Sequence, residues 1–304
     1  MIQEANNENK AEILALWKNA YPNQNEDYLN FYFREIFDNG VCLTQEQDDR
    51  IVSSLEMNRH IIRLQGKQLM ANYILGVSTL NDYRRRGHMK DLMNSAIDEA
   101  SHTSLITLIK GFNPKIYERY GFEVVYYRKT YTIARTYLNK VSTARVSSGA
   151  QASELTTLYQ KFTLLFDGYY CRDNAYYTLL LKELALGQKQ MVVYRNGHNE
   201  LTGYMIYQKK KNDIMVLEAI YLESVSLLHM LKKAIGMEKE ITLSVSLHER
   251  LEKLFPLIIP KKQVYMMARI NNIALFNKLY NVKIKNTKEA FESIKKPLWC
   301  HEYY

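Results

Sequence analysis

Hydrophobic and polar positions along the chain predict a repeated order of helices and strands. Apolar side chains recur at helical spacing in Lys10–Ala20 and in the aromatic-rich segment Tyr28–Ile36. Strand-like runs follow, and Gly66 and Lys67 form a predicted tight turn between two of them. The predicted elements after the two helices are strands Arg50–Met57, Arg59–Leu64 and Gln68–Leu80, helix Gly87–Ala100, strand Leu105–Ile109, helix Pro114–Tyr120 and strand Phe122–Ile133.

The second half of the chain repeats this order with little sequence identity. The pattern predicts an α+β fold of two tandem domains, each with a mixed, mainly antiparallel sheet flanked by helices. We expect a first domain over residues 1–140, a second over 141–270 and a C-terminal tail over 271–304. Two later elements are a predicted helix, Glu249–Phe255, and a short strand in the tail, Asn281–Ile284.

Composition narrows the functional classes. The chain has 304 residues, is 47% hydrophobic and carries a net charge of +9. No apolar run approaches the roughly 20 residues of a membrane span, and the polar N-terminus is unlike a secretory signal, so we expect a cytoplasmic protein without membrane contact. The longest basic runs are short, which argues against nucleic acid as the partner.

The cysteines give no sign of a disulfide framework or a metal site. Cys42, Cys171 and Cys300 are far apart and odd in number, as in proteins of reducing compartments. Cys300 and His301 are adjacent, but two ligands are too few for zinc. We therefore expect no metal.

The most informative run lies where a predicted strand passes into a predicted helix. Arg84, Arg85, Arg86 and Gly87 occupy the junction. A helix N-terminus presents unpaired N–H groups and the positive end of the helix dipole, which suit a pyrophosphate. Gly87 lets the backbone approach phosphates without a Cβ in the way. An ordinary loop with a solvated basic face is the alternative interpretation of the same residues.

This run resembles motif A of the GNAT acetyltransferases, (Gln/Arg)-x-x-Gly-x-(Gly/Ala), which grips the pyrophosphate of coenzyme A. Arg84 and Gly87 match the motif, whereas Met89 stands where the family has Gly or Ala. The segment Lys115–Phe122 resembles the Tyr-x-x-x-Gly-Phe ending of GNAT domains. The two motifs, a second GNAT-like domain and the run Met266–Ile270 together resemble the Eis-like (enhanced intracellular survival) group. Proteins of that group carry a sterol-carrier-like third domain, for which the segment 271–304 is too short.

The resemblance implies an N-acetyltransferase that uses acetyl-CoA as cosubstrate. It places Tyr117 as the general acid, because a phenol of pKa about 10 can protonate the leaving thiolate. Packing alone is the other interpretation of this tyrosine. The residues implied to contact acetyl-CoA are Val77, Ser78, Thr79, Arg84, Arg85, Arg86, Gly87, His88 and Met89.

The general base is a separate hypothesis. Eis-like enzymes use a C-terminal carboxylate, which suggests Tyr304 here, with His301 or Glu302 as substitutes. The acceptor is expected to be a primary amine on an aminoglycoside, a polyamine or a lysine peptide. Acidic groups that could face a cationic acceptor are Glu26, Asp27 and Glu35.

The second domain reads as non-catalytic. At the place that matches the junction Arg84–Gly87, it has Glu223 before the helix and no Arg-x-x-Gly. We expect it to complete the pocket and to support a homo-oligomer. The alternative function is a catalytically inactive GNAT fold that senses coenzyme A.

Overall fold

The computed structural model describes residues 2–111, 113–210 and 213–301, and these residues form two compact units. The first unit comprises residues 2–125 and Tyr265–Ile294, and the second comprises Tyr126–Val264 and residues 295–301. Among the described helices none is long and apolar enough to cross a membrane.

The first unit combines a mainly antiparallel sheet with helices. Its second helix begins at Asn25, whose side chain accepts a hydrogen bond from the backbone of Tyr28, as Asn and Asp do at helix starts. The elements of this unit are β1 (Ile2–Glu4), α1 (Lys10–Ala20), α2 (Glu26–Glu35), β2 (Gly40–Gln47), β3 (Arg50–Leu64), β4 (Lys67–Thr79), α3 (His88–Thr103), β5 (Ile106–Ile109) and α4 (Lys115–Glu118).

The strand β6 (Glu123–Ala134) leads from the first unit into the second. The second unit continues with β7 (Val146–Ser147), α5 (Ala152–Thr163), β8 (Tyr169–Tyr170), α6 (Asn174–Leu184), β9 (Gln190–Arg195), β10 (Leu201–Lys210), β11 (Asp213–Tyr221), α7 (Ser224–Ile235) and β12 (Glu240–Ser246). The strand β13 (Lys261–Ile270) returns to the first unit, which ends with α8 (Ile273–Tyr280) and α9 (Thr287–Glu292).

Both units follow one strand order. In the first, β1-β2-β3-β4 are antiparallel neighbours, β5 lies parallel to β4, and β13 closes the order antiparallel to β5. In the second, β7-β9-β10-β11 are antiparallel neighbours, β12 lies parallel to β11, and β6 closes the order antiparallel to β12. The predicted α+β fold of two similar domains is confirmed.

The units differ from the predicted domain bounds because each takes its last strand from the other half of the chain. The strand β6 pairs in the second unit, and β13 pairs in the first. The residues Met267–Ile270 of β13 pair with β5, and Arg128–Ala134 of β6 pair with β12. The amide of Asn271 then donates to the carbonyl of Ser104 at 2.9 Å. The described residues after 270 are therefore divided between the two units instead of forming a separate tail. Local pattern does not encode which strands pair.

Several predicted elements differ in detail. The runs predicted as two strands are one strand, β3, because Asn58 lies within the sheet and its amide donates to the buried hydroxyl of Tyr32 at 2.9 Å. The strand β2 was not predicted. Turns and irregular chain occupy Glu249–Phe255 and Asn281–Ile284, where a helix and a strand were predicted.

A bulge distorts β4 near its carboxyl end. Opposite β3, Ser54 pairs with Ser78 and Glu56 pairs with Leu75, so β4 has one extra residue between the two pairs. Gly76 lies there with φ of 59°, in the region that glycine adopts most readily. A Cβ at this glycine would lie 1.8 Å from the Trp17 ring, so α1 packs directly on the bulge.

A buried carboxyl group lies beneath α2. The side chain of Glu56 is fully buried, and its Oε1 accepts a hydrogen bond from the Tyr32 hydroxyl at 2.8 Å. Burial, opposed by the Tyr32 hydrogen bond and aided by Asp38, raises the pKa of Glu56 from 4.5 to about 8. Between these two pH values the folded chain keeps a proton that the unfolded chain has lost.

We expect the unfolding free energy to decrease as pH rises from 4.5 to 8, by up to about 1.4 kcal/mol per pH unit. Glu56→Gln should flatten this slope and make the protein more stable than wild type at pH 8. Urea unfolding at three pH values measures the effect. Glu26→Gln is the control, because Lys18 lowers the pKa of this exposed carboxylate and its titration falls below the window. An unchanged slope in Glu56→Gln would contradict the prediction.

Candidate functional site

The site begins where the two parallel strands of the first unit separate. The pairing of β4 with β5 covers Ala71–Ile74 on β4 and ends opposite Ile109. Beyond the bulge, β4 continues to Thr79 with β3 as its neighbour. The hydroxyl of Ser54 hydrogen-bonds that of Ser78 at 2.9 Å and holds this strand end in register. The result is a strand end whose β5 side is open.

The chain then enters α3 through a turn with two left-handed residues. Arg85 has φ of 64° and Gly87 has φ of 95°. Left-handed residues just before a helix direct successive N–H groups toward one point and form an anion-binding concavity. Apart from the adjoining backbone, no heavy atom of the described residues lies within 4 Å of the position of a Cβ on Gly87, so the space beside it is open. The turn can therefore receive a bulky anion.

A cavity of about 560 Å³ lies along this turn and the end of β4. All but one of the residues predicted to contact the cofactor line it, and the exception is Arg86. Sequence reasoning did not single out Ala20, Tyr21, Lys90 or Arg119, which also line it. The wall residues are Ala20, Tyr21, Val77, Ser78, Thr79, Tyr83, Arg84, Arg85, Gly87, His88, Met89, Lys90 and Arg119.

The charges around the cavity have one sign. Arg84, Arg85, Lys90 and Arg119 supply four cationic groups, and within the described part of the chain its walls carry no carboxylate. The Arg84 side chain folds back so that Nε donates to the carbonyl of Thr79 at 3.2 Å. These charges, with the start of a 16-residue helix, favour a polyanion.

Arg86 has a different place. Its guanidinium lies 4.9 Å from the centre of the Tyr83 ring, as that of Arg50 does at 4.8 Å. The Tyr83 hydroxyl in turn donates to Asp48 at 2.8 Å. Arg86 thus packs on the turn as a cation–π partner rather than lining the cavity.

His88 and Met89 form the floor at the start of α3. His88 is 8% exposed, and neither ring nitrogen has a hydrogen-bond partner among the described residues. Met89 is half-buried and packs against the core cluster that contains Leu92 and Met93. The bulky residue in place of the family's Gly or Ala therefore contributes to the core as well as to the wall.

Two tyrosines interact with each other electrostatically, and Tyr21 lines the cavity whereas Tyr117 is not among its lining residues. The Tyr117 ring, on α4, packs so closely on Gly111 that a Cβ there would lie 2.1 Å from Cε2. Burial and then the neighbouring Tyr120 raise its pKa, so its phenol is protonated at neutral pH. The Tyr21 hydroxyl donates to the carbonyl of Val77 at 2.9 Å. Burial and the charge that Tyr117 would carry raise the pKa of Tyr21 to about 12.

The candidates for the general base do not join this group. Tyr304 and Glu302 lie outside the described residues. His301 is buried in the second unit, where Nδ1 lies 2.6 Å from a Glu218 oxygen. Glu26, Asp27 and Glu35 are not among the residues that line the cavity.

In the second unit, the described residues at the start of α7 do not repeat the turn Arg84–Gly87. Glu223 is the N-cap of α7 with an extended backbone, at the place that matches Gly87 before α3. Its exposed carboxylate stands at the helix start, where it would repel a phosphate.

Comparison with known families bears on the first unit. Residues 1–125 match the family model described as an acetyltransferase (GNAT) domain. This segment is therefore similar to the GNAT acetyltransferase domains. The match covers the segment that carries the bulged strand, the turn at Arg85–Gly87 and Tyr117. A comparison with curated proteins gives no match.

Solved structures share the fold along most of the chain. A probable N-acyltransferase from Enterococcus faecalis V583 superposes with a TM-score of 0.77 at 18% identity, over 90% of this chain and 72% of that one. A GCN5-related N-acetyltransferase from Anabaena variabilis gives 0.73 at 14%, over 91% and 74%. Eis1 from Mycobacterium abscessus gives 0.69 at 12%, over 91% and 75%. The predicted likeness to the Eis-like fold is confirmed, and the segment that matches the GNAT family model lies within it.

Proposed function

We propose that the protein is an acetyl-CoA-dependent N-acetyltransferase that acts on a primary amine. The observation that carries the proposal is the cavity at the start of α3, where the left-handed Arg85 and Gly87 leave an open, cationic space. The pyrophosphate of coenzyme A occupies this space, and its pantetheine arm follows the end of β4 toward Val77.

The reaction joins the amine nitrogen to the acetyl carbon and breaks the carbon–sulfur bond. The amine must be neutral to attack, so it gives up one proton before the addition and a second as the amide forms. The Val77 N–H donates to the thioester oxygen as negative charge develops there. Tyr117 donates its proton to the departing thiolate and recovers one from solvent, so the products are an amide and free coenzyme A.

The acceptor is the least constrained part of the proposal. The family likeness favours an aminoglycoside, a polyamine or a lysine peptide, all of which present a primary amine. A panel of these amines with acetyl-CoA, scored by thiol release, tests the activity. Binding of acetyl-CoA without thiol release from any amine would favour the coenzyme A sensor instead.

The proposed pyrophosphate site at Arg85 and Gly87 can be tested by substitution. Gly87→Asp places a carboxylate in the open space where we propose that the pyrophosphate binds. We expect the Kd of coenzyme A to rise at least about 30-fold. Coulombic repulsion at the helix start and the loss of a close backbone approach act together. Isothermal calorimetry with coenzyme A measures the change.

The control is Gly66→Asp. Gly66 has φ of 79° and, like Gly87, no described heavy atom beyond its chain neighbours within 4 Å of its Cβ position, so both variants introduce a carboxylate at a left-handed glycine of the same unit. Gly66 lies in the β3–β4 turn, away from the cavity residues. Equal affinities in the two variants would refute the placement of the pyrophosphate.

A further inference from the structure

Tyr21 follows α1 directly and contacts the open end of β4. Its hydroxyl donates to the carbonyl of Val77 at 2.9 Å, and both residues line the cavity. It lies outside the segment matched by motif A, and nothing in its local sequence distinguishes it from the other tyrosines of the chain.

Val77 lies outside the residue pairing of both neighbouring strands, and its N–H and its carbonyl belong to two different peptide groups that meet at this residue. The bulge leaves Val77 out of the register with β3, which passes from the Leu75 pair to the Ser78 pair. The pairing with β5 has already ended at Ile74. A peptide group outside both ladders can turn about its flanking bonds, and an oxyanion donor must not turn.

The last turns of α1 hold the bulge at a second point. The Trp17 ring fills the space beside Gly76, and its Nε1 donates to the Ser54 hydroxyl at 3.3 Å. Trp17 therefore fixes the residue before Val77, and Tyr21 fixes Val77 itself. The two aromatic side chains are four positions apart and lie on one face of the helix end.

We propose that Tyr21 is a positioning residue that holds the Val77–Ser78 peptide through the Val77 carbonyl and so limits rotation of Val77. With Trp17 packed on Gly76, the Val77 N–H on the preceding peptide then stays directed at the acyl oxygen of the bound thioester. The inference rests on the proposed acetyl transfer. It assigns to Tyr21 no proton transfer, in contrast to Tyr117. Burial keeps the Tyr21 hydroxyl protonated well above neutral pH, so it remains a donor throughout the range of an assay.

The test compares Tyr21→Phe with Tyr280→Phe. The Tyr280 hydroxyl donates to the carbonyl of Leu64 at 2.9 Å, so each variant removes one tyrosine–carbonyl hydrogen bond of equal length from the first unit. Leu64 is at the far end of β3 and does not line the cavity. Both variants should lose a similar, small amount of thermal stability.

We expect Tyr21→Phe to lower kcat about 10-fold or more at every pH from 6 to 9, with the Kd of free coenzyme A unchanged within twofold. The variant should also lose any preference of the wild type for acetyl-CoA over coenzyme A, since only the thioester contacts the Val77 N–H. Tyr280→Phe should keep the wild-type kcat and the wild-type affinity ratio.

The affinity ratio separates this inference from the proposed function. If the wild type binds acetyl-CoA more tightly than coenzyme A but releases no thiol, acetyl transfer fails, and loss of the ratio in Tyr21→Phe still supports the positioning role. If Tyr21→Phe matches Tyr280→Phe in both kcat and ratio, the positioning role is refuted while the enzymatic function stands. Absence of coenzyme A binding in the wild type overturns both.

Discussion

Replacing Tyr117 with phenylalanine should lower kcat by about 100-fold or more and leave the Kd of acetyl-CoA within a factor of two. The ring is already fixed against Gly111, and phenylalanine keeps that packing. Only the hydroxyl is lost, so the thiolate must leave without a proton from the protein. Thiol release at saturating substrate measures kcat, and calorimetry measures the affinity.

The pH profile adds a second readout. Burial raises the pKa of Tyr117, so the wild type should keep its acid through neutral pH and lose it only on the alkaline side. The variant should lack that alkaline decrease. Tyr120→Phe is the control for kcat, because the Tyr120 hydroxyl has no hydrogen-bond partner among the described residues and its removal breaks none. It should keep the alkaline decrease, shifted to lower pH because Tyr120 no longer raises the pKa of Tyr117. A wild-type rate in Tyr117→Phe would exclude the phenol as the acid.

Replacing Glu218 with glutamine should lower the unfolding free energy by about 3–5 kcal/mol. Glu218 and Arg172 form a fully buried bidentate pair with contacts of 3.0 and 2.8 Å. Although burial acts the other way, the charge of Arg172 and the hydrogen bonds from His301 and Arg172 hold the pKa of Glu218 well below its usual range. The variant leaves a buried guanidinium without its counter-charge, and that desolvation cost is what unfolding relieves.

Glu154→Gln is the matched control in the same unit. Glu154 also binds an arginine through both oxygens, at 2.7 and 3.0 Å, but the pair with Arg195 is partly exposed. We expect a loss below about 1 kcal/mol there. Adding Arg172→Met to Glu218→Gln should recover part of the stability, since it removes the unpaired charge. Urea unfolding measures all three, and equal losses for Glu218 and Glu154 would contradict the argument.

His301 contacts the same buried pair and is unsuited as a base because of its burial and of Arg128. Burial and the charge of Arg128, opposed by Glu218, lower the pKa of His301 to about 3. The Arg172 guanidinium also donates to the carbonyl of His301 at 2.8 Å. The imidazole is therefore a neutral structural group within the second unit, a role that its position beside Cys300 did not indicate.

Local pattern predicted the proposed phosphate site and most of the element types. A strand end, three arginines, a glycine and an amphipathic helix are consecutive in sequence, so their chemistry could be read without a fold. Gly87 was predicted to let the backbone approach phosphates without a Cβ, and the structure adds that its φ is left-handed. Tyr117 was found by its place in a contiguous ending, Tyr-x-x-x-Gly-Phe.

Partners separated in sequence required the tertiary structure. The pairing of β13 with β5, the contact of Tyr21 with Val77 and the buried set of Arg172, Glu218 and His301 join segments far apart in the chain. Periodicity reports which face of an element is apolar, but many strands share the same face pattern. The choice among them is made by the packing of the whole unit, and hydrogen bonds form where that packing brings a donor to an acceptor.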